Sequence, residues 1–295
     1  MKIGIAGIGR MGAAIGLRLM EVGHELTVWN RSAAKAKPLA EAGAKVVAAP
    51  KALADGVEVI ITILTDDAAI DAVYAGPSGL LAGSVKGKLV IEMSTVRPET
   101  EIALAEKVRG KGAAFVECPV GGSIGPARQG KLIGLMGAEP ADAERARPIL
   151  EQLCRRLEHV GPVGAGATMK FAINLPLMIY WQALGEAVAL CRPLGLDSAR
   201  LKDLFADTSG GTNAVKNRGP AIAAMLAGKD PGAVGFDIDS GRKDLRAMLA
   251  EAQARGIELP VAKAALACFD EASAKGLGAK DGSNLSVYWS ERKAG

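Results

Sequence analysis

Two polar residues at the start of a long apolar segment are the first candidates for chemistry in this chain. Lys170 and Asn174 follow a glycine-rich turn and lead into a run of apolar residues that predicts a helix. A spacing of four residues places the ammonium and the amide one turn apart on the same helical face. An ammonium among apolar neighbours can stabilise and protonate an oxygen that gains negative charge, so Lys170 is the candidate general acid or base.

A glycine motif near the N-terminus indicates a second kind of site. Three glycines form the pattern G-x-G-x-x-G between a predicted strand at 2–6 and a predicted helix at 11–22. The first permits a tight turn, the second lets the backbone approach a pyrophosphate, and the third lets helix and strand pack closely. The N–H groups of the helix N-terminus attract phosphate. The residues expected to bind a dinucleotide here are Gly7, Gly9, Arg10, Met11 and Gly12.

The turn after the second predicted strand bears on which dinucleotide is bound. A fold that selects NAD usually places Asp or Glu there to accept hydrogen bonds from the ribose, whereas this chain has Asn30, Arg31 and Ser32. An amide, a guanidinium and a hydroxyl can all donate hydrogen bonds to a 2′-phosphate, which a carboxylate would repel. The predicted cofactor is therefore NADP(H), with NAD(H) as the weaker alternative.

The elements that must position these residues divide the chain in two. Predicted strands at 2–6, 25–29, 45–48, 57–63, 89–92 and 114–117 alternate with predicted helices at 11–22, 33–42 and 98–109. This alternation is typical of a parallel sheet with helices on both faces, the doubly wound Rossmann α/β fold. Beyond 164 we predict only helices, at 165–193, 198–207, 213–227, 240–255 and 261–275. We therefore expect an NADP-binding domain over 1–163 and an all-α domain for substrate binding and oligomerisation over 164–295, joined by a long interdomain helix.

The overall composition narrows the functional classes. The 295 residues are 49% hydrophobic, which is ample for a packed core, and the formal net charge of +4 is spread along the chain. We therefore expect no nucleic-acid partner. Four widely spaced cysteines without a C-x-x-C pair and only two histidines predict no metal site and indicate a reducing compartment. Glycines interrupt the apolar residues at the start of the chain, so we expect no secretory signal. Polar residues interrupt the apolar segment 171–191, so we expect no membrane span. The expected location is cytoplasmic.

Five motifs occur in the order that is typical of one enzyme family. They are the glycine motif, Ser94–Thr95 with Pro98, the stretch 117–123, Lys170 with Asn174, and Lys243 with Asp244. Through them nearly the whole chain resembles the β-hydroxyacid dehydrogenase family, which contains 3-hydroxyisobutyrate dehydrogenase and the glyoxylate and succinic semialdehyde reductases. The resemblance implies hydride transfer between a nicotinamide and a small aldehyde acid or 3-hydroxy acid. Lys170 would be the general acid or base, and Asn174 would hold the substrate hydroxyl or the lysine.

The resemblance also implies the remaining site residues. It places substrate contacts at Gly122, Ser123, Thr95 and Lys243, and further cofactor contacts at Leu64, Thr65, Thr95 and Lys243. The family usually forms homodimers or homotetramers through the helical domain. Glu-Cys-Pro-Val-Gly-Gly-Ser replaces the common Asp-Ala-Pro-Val-Ser-Gly-Gly, a departure that bears on substrate identity and on carboxylate recognition. Ile173 replaces a common asparagine and Pro176 is expected to kink the helix, and both changes make the predicted pocket more apolar.

Four functions are compatible with these observations. The first is an NADPH-dependent reductase of small aldehyde acids. The second is an imine reductase, although imine reductases usually lack a lysine at the position of Lys170. The third is a carbonyl reductase of bulkier apolar aldehydes, which Gly121 and Ile173 favour. The fourth is an NADPH-binding protein without turnover, against which the set of Lys170, Asn174 and Lys243 argues.

Overall fold

The chain forms two units, the first of which is a sheet flanked by helices. The computed structural model describes residues 1–291, and the boundary between the units lies between Phe171 and Ala172. The strands are β1 (Lys2–Ala6), β2 (Glu25–Trp29), β3 (Lys45–Val46), β4 (Val59–Thr62), β5 (Leu89–Glu92), β6 (Ala114–Glu117), β7 (Val120–Gly121), β8 (Leu132–Ala138) and β9 (Cys154–Gly161). The helices are α1 (Arg10–Glu21), α2 (Lys37–Glu41), α3 (Pro50–Gly56), α4 (Asp67–Tyr74), α5 (Pro98–Gly110), α6 (Ile124–Arg128), α7 (Pro140–Leu150) and the start of α8 (Ala165–Cys191).

Six of these strands form a parallel sheet in the order β3-β2-β1-β4-β5-β6. This is the order of a Rossmann domain, so the predicted doubly wound fold is confirmed. The central strands β4 and β5 are buried along their whole length, because helices cover both faces of the sheet. Their carboxyl ends, where Thr62 and Glu92 lie, share one edge of the sheet. Ligands bind at this edge in folds of this kind.

The far end of the sheet differs from the prediction, which gave parallel strands and none beyond residue 117. β8 runs antiparallel to β6 and β7, and β9 runs parallel to β8. Gly134 and Gly137 lower the strand propensity of β8, and β9 is rich in charged residues, so neither segment has the alternating pattern of a strand. A Cβ at Gly134 would lie 2.7 Å from Leu157 Cδ1, so any other residue there would displace this side chain.

The second unit is built from helices, as predicted. After α8 come α9 (Ser198–Ala206), α10 (Asn213–Leu226), α11 (Ile238–Ala254), α12 (Pro260–Ala272) and α13 (Asn284–Glu291), the last of which lies beyond the predicted elements. Side chains cap three of them: Asp197 accepts from the first turn of α9, Thr212 from α10 and Asp237 from α11. Such caps satisfy N–H groups that the helix itself leaves without partners.

Two aromatic residues, Trp181 and Phe269, are buried in the core of the second unit. Trp181 is 2% exposed, and its ring centroid lies 6.2 Å from that of Phe236 and 6.4 Å from that of Phe269. The Trp181 ring thus contributes to packing within one copy of the chain. The homodimer or homotetramer implied by the family resemblance stays a prediction. Within residues 1–291, none of the helices combines the length and the apolar character that crossing a bilayer requires.

Candidate active site

The glycine loop between β1 and α1 has the shape that a pyrophosphate requires. Gly7 has a φ of +103°, and a Cβ there would collide with the carbonyl oxygen of Ile63. A Cβ at Gly12 would collide with the carbonyl oxygen of Gly7, so the helix can approach the loop only because this residue is glycine. A Cβ at Gly9, by contrast, would have open space within 4 Å. No side chain caps α1, so the loop fits a phosphate group at the helix N-terminus.

The side chain of Asn30 joins two loops that were predicted to contact the cofactor. Its Oδ1 accepts from the Ile8 N–H at 2.9 Å, and its Nδ2 donates to the Ser32 carbonyl at 2.9 Å. Asn30 therefore ties the glycine loop to the turn after β2, a role that sequence reasoning did not assign to it. Arg31 and Ser32 are both exposed in this turn. Their side chains are accessible to a ligand at this edge of the sheet.

A serine hydroxyl brings two further predicted cofactor loops together. Ser94, which follows β5, accepts at Oγ from the Leu64 N–H at 2.7 Å, and its own N–H donates to Glu92 Oε2 at 2.8 Å. Leu64 and Thr95 are half-buried and Thr65 is exposed, at the carboxyl ends of β4 and β5. The buried carboxylate of Glu92 thus fixes the loop that carries Leu64 and Thr65. Sequence reasoning missed this role of Glu92.

Lys170 contacts the predicted substrate segment. Its side chain is 9% exposed, and its Nζ donates to the carbonyl oxygen of Val120 at 2.7 Å. Gly122, two residues later, has a φ of +127°, and a Cβ there would lie 2.8 Å from Leu132. Ser123 is half-buried and precedes α6 without capping it through its side chain. The ammonium and the glycine-serine segment therefore lie together in the first unit.

Two predicted site residues belong to the second unit. Asn174 is half-buried and follows Lys170 by one turn of α8. Lys243 is half-buried on α11, with its Nζ 2.7 Å from Oδ1 of Asp244. The Asp244 carboxylate is 2% exposed, and an adjacent ammonium offsets part of the cost of burying a carboxylate.

Three carboxyl groups are buried in the first unit, and the sequence analysis gave none of them a role of its own. Glu92 ends β5, Glu117 ends β6, and Glu101 lies on α5; all three are fully buried. Burial, above all, and the nearby charge of Glu92 raise the pKa of Glu101 well above its ordinary value. Burial raises the pKa of Glu117 to about 7, although N–H groups of α8 act in the opposite direction. The signal in the sequence was a glutamate at the end of each of two apolar strands.

The pKa of Glu117 predicts how stability depends on pH. The ordinary value is 4.5, so the folded chain keeps a proton that the unfolded chain loses as the pH rises toward about 7. This contribution to stability is fully present below about pH 4.5 and is lost as the pH rises through about 7, a difference of about 3 kcal/mol. We expect Glu117→Gln to make the free energy of unfolding fall less steeply across this window, measured by urea denaturation at a series of pH values. If the free energy of unfolding depends on pH in Glu117→Gln as it does in the wild type, the raised pKa of Glu117 is contradicted.

Comparisons with known proteins agree with the geometry. Residues 2–161 match the model of the NAD binding domain of 6-phosphogluconate dehydrogenase, and residues 164–289 match that of the NAD-binding domain of NADP-dependent 3-hydroxyisobutyrate dehydrogenase. The chain is 35% identical to glyoxylate/succinic semialdehyde reductase 1 of Arabidopsis thaliana, over 95% of this chain and 96% of that protein. It is 33% identical to 3-hydroxyisobutyrate dehydrogenase of Pseudomonas aeruginosa, over 88% of each.

A solved structure extends the likeness to three dimensions. Psf3 in complex with NADP+ and 2-OPP superimposes with a TM-score of 0.86 at 28% identity, over 97% of this chain and 99% of that one. The matches to both domain models and to full-length relatives cover the glycine loop, the buried lysine and the helical unit alike. The chain therefore belongs to the β-hydroxyacid dehydrogenase family and is an NAD(P)-dependent oxidoreductase that acts on CH–OH groups.

Proposed function

We propose that this chain reduces small aldehyde acids with NADPH, and that Lys170 is the general acid of the reduction and the general base of the reverse reaction. The observation that carries the proposal is the position of the Lys170 ammonium, which is almost completely buried and hydrogen-bonded to Val120 beside Gly122 and Ser123. A buried cation next to a segment that can present N–H groups suits a substrate with both a carbonyl and a carboxylate.

The chain's own residues would act on the carbonyl oxygen. Hydride transfer from a reduced nicotinamide, when one is bound, would leave negative charge on the carbonyl oxygen. The ammonium of Lys170 stabilises this charge and donates a proton to it, which completes the alcohol. Val120 fixes the direction of the ammonium, because its carbonyl oxygen accepts one of the three N–H groups. Thr95 and Ser123 are the proposed groups for orienting the acid end.

The proposed substrate range rests on the similar proteins and on two positions of the sequence. The relatives carry names of glyoxylate, succinic semialdehyde and 3-hydroxyisobutyrate enzymes, which supports a small substrate with an acid group. Two residues next in sequence to the proposed contacts Gly122 and Asn174 are apolar: Gly121, and Ile173, which is 50% exposed. A bulkier apolar aldehyde is therefore the second candidate substrate class.

A substrate panel tests the reaction and the cofactor together. Glyoxylate, succinic semialdehyde, larger apolar aldehydes and cyclic imines are each incubated with NADPH and with NADH, and the loss of cofactor absorbance is followed. We expect the highest kcat/KM with a small aldehyde acid and NADPH. Turnover of cyclic imines alone would favour the imine reductase instead.

Asn174 provides a smaller test of the same proposal. If its amide holds the substrate hydroxyl or the lysine, Asn174→Ala should lower kcat about tenfold, because one aligned hydrogen bond in the transition state is lost. The affinity for NADPH, measured by fluorescence titration, should stay the same. Asn213→Ala, at the start of α10, is the control. Equal kinetics of Asn174→Ala and the wild type would remove Asn174 from the catalytic set.

A further inference from the structure

The carboxylate of Glu117 joins three elements beneath the proposed active site. It extends from the end of β6, and its Oε1 accepts from the N–H groups of Gly164 and Gly166, each at 2.7 Å. These N–H groups belong to the turn before α8 and to its first turn. On β8, a Cβ at Gly137 would collide with the same oxygen. Glycine at this position is therefore what allows the carboxylate to reach the helix.

The same helix carries the proposed general acid. Lys170 follows Gly166 by four residues and therefore lies one helical turn further along α8. Its Nζ donates to the carbonyl oxygen of Val120, and Val120 follows Glu117 by three residues. Two hydrogen-bonded contacts thus connect α8 to one short segment, 117–120: the carboxylate holds the start of the helix and a carbonyl holds the ammonium. A shift of the first turn would move the ammonium with it.

We propose that Glu117 is a positioning residue, whose carboxylate anchors the first turn of α8 and so sets the place of the Lys170 ammonium. The inference rests on the proposed function of Lys170, since Glu117 itself does not touch the reacting atoms. A negative charge is suited to this task, because the N-terminus of a helix attracts anions and charge-assisted hydrogen bonds are about twice as strong as neutral ones. A neutral acid or amide at the same place would hold the turn less firmly.

The protonation of Glu117 follows from the groups around it. The titratable groups that interact with it are Glu92 on β5, Glu101 on α5, and Cys118 next to it in the chain. Burial raises its pKa to about 7, and the N–H groups of Gly166, Gly164 and Ala167 lower it in turn. The anchoring charge is therefore present above about pH 7 and lost below it. Reduction should slow as the pH falls through this value.

A pair of matched variants tests this role. Glu117→Gln keeps the size of the side chain and removes the charge; Glu101→Gln does the same to a neighbouring buried carboxyl that has no bond to α8. For Glu117→Gln we expect kcat to fall about tenfold or more, because small displacements of a catalytic group are costly, while the KM and the Kd of NADPH change less than about twofold. In the wild type and in Glu101→Gln, kcat should fall as the pH drops below about 7. In Glu117→Gln this fall, the acidic limb of the pH profile, should be absent. If Glu117→Gln retains the kcat and the acidic limb of the wild type, the proposal is wrong.

Hydrogen exchange separates this inference from the proposed reaction and does not depend on the variant folding well. In the wild-type protein, corrected for intrinsic rates, the amides of 164–167 should lose protection as the pH falls through about 7, while amides of β4 and β5 should not. Unchanged protection at 164–167 would overturn the anchoring role even if the enzyme is active. Loss of protection there in a protein that reduces none of the carbonyl substrates would support the anchoring role and reject the proposed reaction.

Discussion

Lys170→Met is expected to lower kcat for aldehyde reduction by about three orders of magnitude, the upper range for removal of a general acid that also stabilises an oxyanion. Methionine has nearly the length of lysine and fits an apolar site, so the 9% exposed position should accept it without a cavity. The hydrogen bond to Val120 is lost, but a carbonyl at the active-site segment can accept from water. The measurement is steady-state reduction of the best aldehyde acid from the substrate panel.

The affinity for NADPH distinguishes a chemical role of Lys170 from a structural one. The glycine loop and the turn after β2 are formed by other residues, so the Kd of NADPH in Lys170→Met should stay within about threefold of the wild type. Lys111→Met is the matched control, because Lys111 is exposed and lies between α5 and β6, on the opposite edge of the sheet from the carboxyl ends of the strands. Equal turnover in Lys170→Met and Lys111→Met would reject the proposed mechanism.

The parts of the site that could be predicted are those whose chemistry requires particular residues at a fixed spacing. Gly7 and Gly12 each lie where neighbouring backbone leaves no room for a Cβ, so at these two positions the motif and the geometry express the same constraint. Lys170 could be singled out as a candidate because an ammonium within an apolar helix has few structural explanations. Its contact with Val120 could not be predicted, since that hydrogen bond joins residues fifty positions apart.

The parts that could not be predicted depend on tertiary contacts. β8 has no clear strand pattern, in part because Gly137 makes room for the Glu117 carboxylate. Glu117 itself is visible in the sequence as the last residue of an apolar strand and the first of the stretch 117–123, neither of which indicates its contacts. Asn30 was assigned to the cofactor from its position in a turn, whereas its side chain also bonds to Ile8 and Ser32. In both cases a polar side chain fixes backbone groups of another segment, and such a role has no sequence motif.

The cofactor preference gives the second large expected effect. Arg31 is exposed in the turn after β2, at the place where NAD-selective folds have a carboxylate. A guanidinium there can form charge-assisted hydrogen bonds with a 2′-phosphate, worth about 1.5–3 kcal/mol each. Arg31→Asp removes these bonds and adds repulsion, so the KM for NADPH should rise about a hundredfold or more. The KM for NADH should stay the same or fall, because the new carboxylate can accept from the ribose 2′-hydroxyl.

The ratio of kcat/KM for NADPH to that for NADH is the quantity to measure, since it cancels any general loss of activity. It should invert in Arg31→Asp and stay unchanged in Lys111→Asp, which makes the same charge change at the opposite edge of the sheet. The effect should also weaken with added salt in the wild type, because Arg31 is exposed and its attraction for the phosphate is screened. If Arg31→Asp retains the NADPH preference, the 2′-phosphate is bound elsewhere. Asn30 Nδ2 donates only one of its two N–H groups to Ser32, so the other N–H and the Ser32 hydroxyl would then be the donors to test in this turn.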